Sequence, residues 1–259
     1  MQPRSRALYK GSESVSSKKR SRIDSHWLTE FLDRLDAGLI QSSWLQQVKH
    51  NQIEGSQQIC QELWPFIREL PLNIVSVKNK LPEGFDSATK LLSQLADDER
   101  HFQNLYLKQC QLAGLDPERL QDSLEIPYSA ERLIKSMRHH CKTASVVDGV
   151  QAVIAAELAA THFARMVLPI LEDYFAHNQD KYGQNSIDEG LSWLRLHAKT
   201  NTRHALWMRR MLDDLESLEQ KHTTLTSKNL PPAVEDILTA VFQLWRSLET
   251  TEIGHCGNQ

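Results

Sequence analysis

The stretch Ser186–Leu218, SIDEGLSWLRLHAKTNTRHALWMRRMLDDLESL, decides how the chain folds. Its apolar residues recur every three or four positions, first Ile187, Leu191 and Leu194, later Met208, Met211 and Leu215. That is the period of a helix with one buried face. Between the two apolar halves, and in register with them, stand His197, Asn201 and His204 at i, i+4 and i+7. Three consecutive polar positions in a core stripe are costly unless they satisfy one another or hold a ligand. Imidazoles stacked in this way suit a transition metal. A buried hydrogen-bond network is the alternative for this helix taken alone.

Working outward, the same helical period runs from Asp24 with few interruptions. Helical segments are expected at His26–Leu35, from Ser42 to about Asn51, at Glu54–Leu70 and Leu72–Lys80, and at Asp86–Ala113 before Gly114. Ser129–Cys141, Val146–Phe175, Ser186–Leu218 and Pro231–Glu249 complete the set. No segment alternates with period two, so the expected fold is all-α, a single bundle of seven or eight helices over residues 23–252. The 10 Gly and 9 Pro in 259 residues are too few to supply the repeated tight turns of a sandwich or barrel. A net charge of −3 gives no reason to expect nucleic acid as a partner. The most apolar run, Val150–Ala160, is broken by Gln151 and Glu157, so no membrane span is expected. Cys60, Cys110, Cys141 and Cys256 are widely spaced without a CxxC pair, which fits reduced thiols and a cytoplasmic location. Residues 1–22 carry seven Lys or Arg against Glu13 alone and almost nothing apolar. They are expected to form a disordered basic tail, with a transit peptide or an anion-binding arm as alternatives. Residues 253–259 are expected to form a second tail.

Two more helices hold polar residues in apolar surroundings. In Asp86–Ala113 the stripe Leu91–Leu95–Asp98–Phe102–Leu105 places Asp98 inward, with His101 about 60° from it around the axis. A carboxylate and a histidine at i, i+3 are what helical-bundle metal sites use. Asp97 and Glu99 read as surface charge. In Val146–Phe175, Glu157 and His162 differ by roughly 140° around the helix, so only one can face a common site. Arg138-His139-His140 reads as the polar end of a helix, with substrate-carboxylate binding as the sharper alternative. The tryptophans, Trp64 and Trp193 among them, fall at core spacings and read as packing.

Taken together these residues resemble the heme-oxygenase-like diiron oxidases, the superfamily that also includes thiaminase II and pyrroloquinoline-quinone synthase. The family's last motif, His-x3-Asp-x2-His, is matched by His197-Ala-Lys-Thr-Asn201-Thr-Arg-His204. The phrase Trp193-Leu-Arg-Leu-His197-Ala198 is similar to the branch that decarboxylates medium-chain fatty acids to terminal alkenes. That branch's Glu-x2-His corresponds to Asp98-Glu-Arg-His101, followed by Cys110-Gln-Leu-Ala-Gly114. Three departures stand out: Asp98 in place of Glu, Asn201 in place of Asp, and His162 in register with the family's bridging Glu. With Asp98 as the one carboxylate and four imidazoles, the matched set suits one divalent metal better than a diiron centre. The nucleophilic cysteine of thiaminase II and the lysine of the self-sacrificing p-aminobenzoate synthases have no counterpart between Val146 and Phe175. The Gly-rich distal helix of heme oxygenase is also missing.

The resemblance implies an oxidase that binds one or two iron ions, or manganese, and activates dioxygen as co-substrate. The implied substrate is a small amino acid or carboxylic acid. Asp98, His101, His162 or Glu157, His197 and His204 are the expected ligands, with His162 preferred to Glu157 and Asn201 as a weak ligand or hydrogen-bond donor behind them. A cofactor-free oxidase or hydrolase using histidine acid–base chemistry, and a non-catalytic helical binding protein, are the competing readings. The expected partners are a small-molecule substrate and, as an open option, a second copy of the chain.

Overall fold

In the computed structural model, which describes residues 26–218 and 230–247, every regular element is helical. The long helices are α1 (His26–Ile40), α2 (Ser43–Lys78), α3 (Asp86–Leu112), α5 (Tyr128–Arg138), α6 (Val146–His177), α9 (Ser192–Leu218) and α10 (Pro232–Ser247). The short helices α4 (Pro117–Asp122), α7 (Gln179–Tyr182) and α8 (Gln184–Gly190) link them, and a π-helical turn (His139–Thr143) joins α5 to α6. The expectation of an all-α bundle holds. The expected tails at 1–22 and 253–259 lie outside the described residues.

The structure moves several boundaries. The segments expected at Ser42–Asn51, Glu54–Leu70 and Leu72–Lys80 are one helix, α2, which contains Pro65 and Pro71. Pro71 has no N–H, so the Ile67 carbonyl one turn back loses its helical donor. Gln103 on α3 replaces it: its Nε2 donates to the Ile67 and Arg68 carbonyls at 3.1 and 3.0 Å. Tertiary packing thus carries the helix through a residue that would end it in isolation. The helix expected at Ser186–Leu218 breaks at Leu191 into α8 and α9. α5 stops at Arg138, short of Cys141, and the π-turn takes over. Lys80 Nζ holds that turn by donating to the carbonyls of His140, Ala144 and Ser145 at 2.8–3.1 Å. There α6 begins on a capping box, with Ser145 and Asp148 satisfying each other's backbone N–H groups. The Arg138-His139-His140 run is therefore more than a polar helix end. Arg138 pairs with Glu69, and His140 is buried with Nε2 3.1 Å from Asp236 Oδ2.

α6 is the axis of the bundle. Residues Val150–Ala156 are all buried, and α9, α10 and α2 pack around them. By length and composition α6 could cross a bilayer, but more than half of its most apolar window is buried inside the protein. That burial is what the core helix of a bundle shows. The alanines at 152, 155, 156 and 159 let neighbouring helices come close to it. Gly190 of α8 abuts α3, where a Cβ would lie 2.5 Å from Leu112. α3 ends as its sequence predicts, with Gly114 at φ +88°, a conformation that glycine adopts without strain.

Candidate metal centre

Three helices bring three donor groups to one point in the interior. Glu99 on α3, Glu157 on α6 and His204 on α9 are 3%, 1% and 1% exposed. One ligand atom from each lies within 4.8 Å of the other two. His204 Nδ1 is 3.6 Å from Glu157 Oε2, and its Nε2 is 3.4 Å from Asp98 Oδ2 at the solvent side. Each donor stands in its helix's buried stripe. Glu99 follows Ala88, Leu92 and Leu95 and precedes Phe102 and Tyr106. Glu157 lies in line with Val150, Val153, Ile154, Thr161 and Ala164. Arg195 steadies the start of α9 by pairing with Glu172 of α6 and Asp188 of α8, each at 2.9 Å.

The electrostatics of the cluster are unfavourable as protein alone. Both Glu157 oxygens and Glu99 Oε1 are buried with no hydrogen bond of ordinary geometry among the described residues. Burial, then the charge and proximity of Glu157, then the charge of Asp98, push the Glu99 carboxyl well above the usual carboxylate range. Without a cation these surroundings therefore favour the protonated, uncharged form of Glu99. A divalent cation would take that proton's place, and two carboxylates would neutralise its charge. Two oxygen donors and one imidazole suit iron(II) or manganese(II). The residues present fit one such ion.

His197 is 2% exposed and stands behind this group. Its Nδ1 donates to the Trp193 carbonyl at 3.0 Å, which leaves the Nε2 lone pair free to accept or to coordinate. Its ring stacks on Trp193 at 3.9 Å between centroids and meets the edge of Phe102 at 5.4 Å. Burial lowers its pKa, assisted by the neighbouring His204 and opposed by Glu157 and the Trp193 carbonyl. The ring is thus neutral near pH 7. Beside it an apolar cavity of about 50 Å³ is lined by Leu63, Phe66, Ala160, Phe163, Trp193 and Trp245, among others.

The sequence-derived set needs correcting on both α3 and α6. Glu99, read as surface charge, is in the cluster. Asp98 is at its edge, half-buried. His101 is exposed, because the inward i, i+3 pair of α3 is Glu99 and Phe102. Phe102 fills the space an imidazole would have used, packing against both His197 and His204. On α6 the preference for His162 over Glu157 is reversed. His162 turns toward α1 and pairs with Asp36, while Glu157 faces the cluster. His197 and His204 are buried where the α9 stripe placed them. The side chain of Asn201 lies outside the described residues.

A scan against protein-family models and a search of curated proteins find no match. Among solved structures, the chain is similar to a TenA homolog from Pseudomonas syringae pv. tomato, with a TM-score of 0.64 at 14% identity. That match covers 88% of this chain and 95% of the other. A domain of unknown function with a heme oxygenase-like fold from Shewanella denitrificans gives a TM-score of 0.63 at 16% identity, over 85% and 89% of the two chains. The chain has a heme-oxygenase-like fold.

Proposed function

We propose that the protein is a metal-dependent oxidase that uses iron, or manganese, to activate dioxygen against a small amino acid or carboxylic acid. The observation that carries this reading is the buried Glu99–Glu157–His204 group, with carboxylate oxygens that have no hydrogen-bond partner and so are set for a cation. When bound, the metal would supply redox chemistry toward dioxygen. The rest of the chemistry falls to this chain's own residues. Glu99, Glu157 and His204 would hold the ion from three different helices. Asp98, 3.4 Å from His204 Nε2, would accept that nitrogen's proton bond and fix the ring with Nδ1 toward Glu157. His197, neutral and with Nε2 available, would accept a proton from a substrate amine or carboxyl group, or add a fourth donor. The apolar cavity beside Trp193 would seat a short aliphatic portion of the substrate and exclude water from it.

The assay is oxygen uptake by anaerobically iron(II)-loaded protein, run against a panel of short-chain carboxylic and amino acids. Substrate-dependent uptake that disappears in Glu157→Gln supports the proposal, and uptake that is identical in metal-free protein removes it. In the second case a cofactor-free acid–base enzyme becomes the better reading. Glu99, held protonated by its surroundings, would then be the acid.

A further inference from the structure

A file of oxidisable rings leads away from the candidate metal centre. His197 stacks on Trp193 at 3.9 Å between ring centroids. Trp193 meets the edge of Tyr106 at 5.1 Å, and Tyr106 lies parallel to Trp64 at 6.4 Å, with 14° between the planes. All four are at most 3% exposed. Trp64 also lines a surface groove of about 480 Å³, together with Glu62, Pro65, Arg119 and Leu120. The file therefore joins the buried cluster to the solvent-facing side of α2.

Two features separate this file from ordinary core packing. The Nε1–H groups of both Trp64 and Trp193 are buried without an acceptor among the described residues. Phenylalanine would fill such positions without leaving a donor unsatisfied, so indole here carries a cost that packing does not require. The same lack of an acceptor has a redox consequence. An indole that loses an electron beside a base also loses its proton and becomes a trapped neutral radical. Without a base it stays a radical cation and passes the charge on. Tyr106 cannot trap the charge either, because its hydroxyl meets the Cys60 and Ile59 carbonyls, at 3.1 and 3.3 Å, and the Cys60 thiol. A backbone carbonyl or a protonated thiol is too weak a base to take a phenolic proton.

We propose that Trp193, Tyr106 and Trp64 form a one-electron relay between the candidate metal centre and the groove on α2. The relay rests on the oxidase reading for its oxidant. When an oxidising equivalent is left at the centre without substrate, one electron passes from Trp193 to the centre. One electron then passes from Trp64 to Trp193 across the Tyr106 ring. The Trp64 radical cation is refilled by a soluble one-electron reductant of the enediol class, which enters at the groove and is itself oxidised by one electron. No bond forms or breaks within the protein, and every indole and phenol proton stays in place.

The test has a metal-free arm and a loaded arm. In the first, flash-generated tris(bipyridyl)ruthenium(III) oxidises the full-length apoprotein, and peptide mass mapping with electron paramagnetic resonance locates the oxidised residues. The wild type should show oxidation at both Trp64 and buried Trp193. Trp64→Phe should lose it at Trp193, and Trp193→Phe should leave a longer-lived radical on Trp64. Tyr106→Phe keeps the bridging ring and should retain transfer. Circular dichroism and melting temperature confirm that each variant is folded. Unchanged oxidation of Trp193 in Trp64→Phe, or its absence in the wild type while Trp64 is oxidised, overturns the relay. In the second arm, iron(II)-loaded protein meets dioxygen without substrate. Products at Trp64 that vanish in Trp193→Phe support the relay, and products at Trp64 that persist there overturn it. A silent second arm after a positive first arm overturns the oxidase reading while the conduction path stands.

Discussion

Replacing Glu157 by glutamine should invert the order of stability between the metal-free and metal-loaded protein. Without metal, the wild type holds two glutamates face to face with three carboxylate oxygens unsatisfied. A buried polar group without a partner costs about 1–3 kcal/mol. The amide removes one charge and offers Glu99 a donor, so metal-free Glu157→Gln should gain about 1–3 kcal/mol. For a chain of this size each kcal/mol moves the melting temperature by roughly 2–4 °C. Metal at about a hundred times its Kd should stabilise the wild type by about 2.7 kcal/mol, hence by roughly 5–11 °C, and the variant by nothing measurable. The assay is scanning calorimetry in chelator and in anaerobic iron(II) or manganese(II). The pH dependence checks the cause. A carboxyl whose pKa is raised by folding binds a proton that the unfolded chain has released. The wild-type apoprotein should therefore lose stability as pH rises from about 4.3, the ordinary glutamate value, toward the raised Glu99 value. The variant should lose less, and below the ordinary value its advantage should vanish. A metal-free variant less stable than the wild type, or one that still gains stability from metal, would refute the reasoning.

Substitution of the other residues should sort them by position. His204→Ala should abolish metal-dependent stabilisation, whereas His101→Ala and His162→Ala should leave it intact, as read by metal titration of purified protein. Asp98→Asn keeps the ligands but weakens the hold on His204, and should lower metal affinity by about 10–100-fold. Metal affinity should fall as pH is lowered through the raised Glu99 value, because the ion then competes with the Glu99 proton; affinity independent of pH across that range would contradict the raised Glu99 value. Gln103→Leu should destabilise the fold by about 1–3 kcal/mol by orphaning the Ile67 carbonyl behind Pro71, measured by urea unfolding.

The helices were legible because each apolar stripe persists over several turns, and the α9 stripe alone located His197 and His204. On α3 the expected and observed registers differ by one position. Residues 97–99 are Asp, Asp and Glu, and both Leu91 and Leu92, and both Leu105 and Tyr106, are apolar, so a short window fits either register. Extended over the whole helix, the register through Ala88, Leu92, Glu99, Tyr106 and Cys110 stays apolar except at Glu99. The other register meets Lys108 and Gln94 at its margins. Length of pattern was the missed signal. On α6 Glu157 shares its face with Val150, Val153, Ile154 and Ala164, whereas the resemblance to the family motif points to His162. Neither the π-turn nor the continuity of α2 through Pro71 could be read locally, since both depend on distant donors, Lys80 and Gln103.

The most direct test of the central claim is metal content by mass spectrometry on protein purified without chelator and then reloaded anaerobically with iron(II), wild type beside Glu157→Gln. The account predicts a single tightly held ion per wild-type chain and none in the variant. Metal absent from both, or retained undiminished in Glu157→Gln, would contradict it.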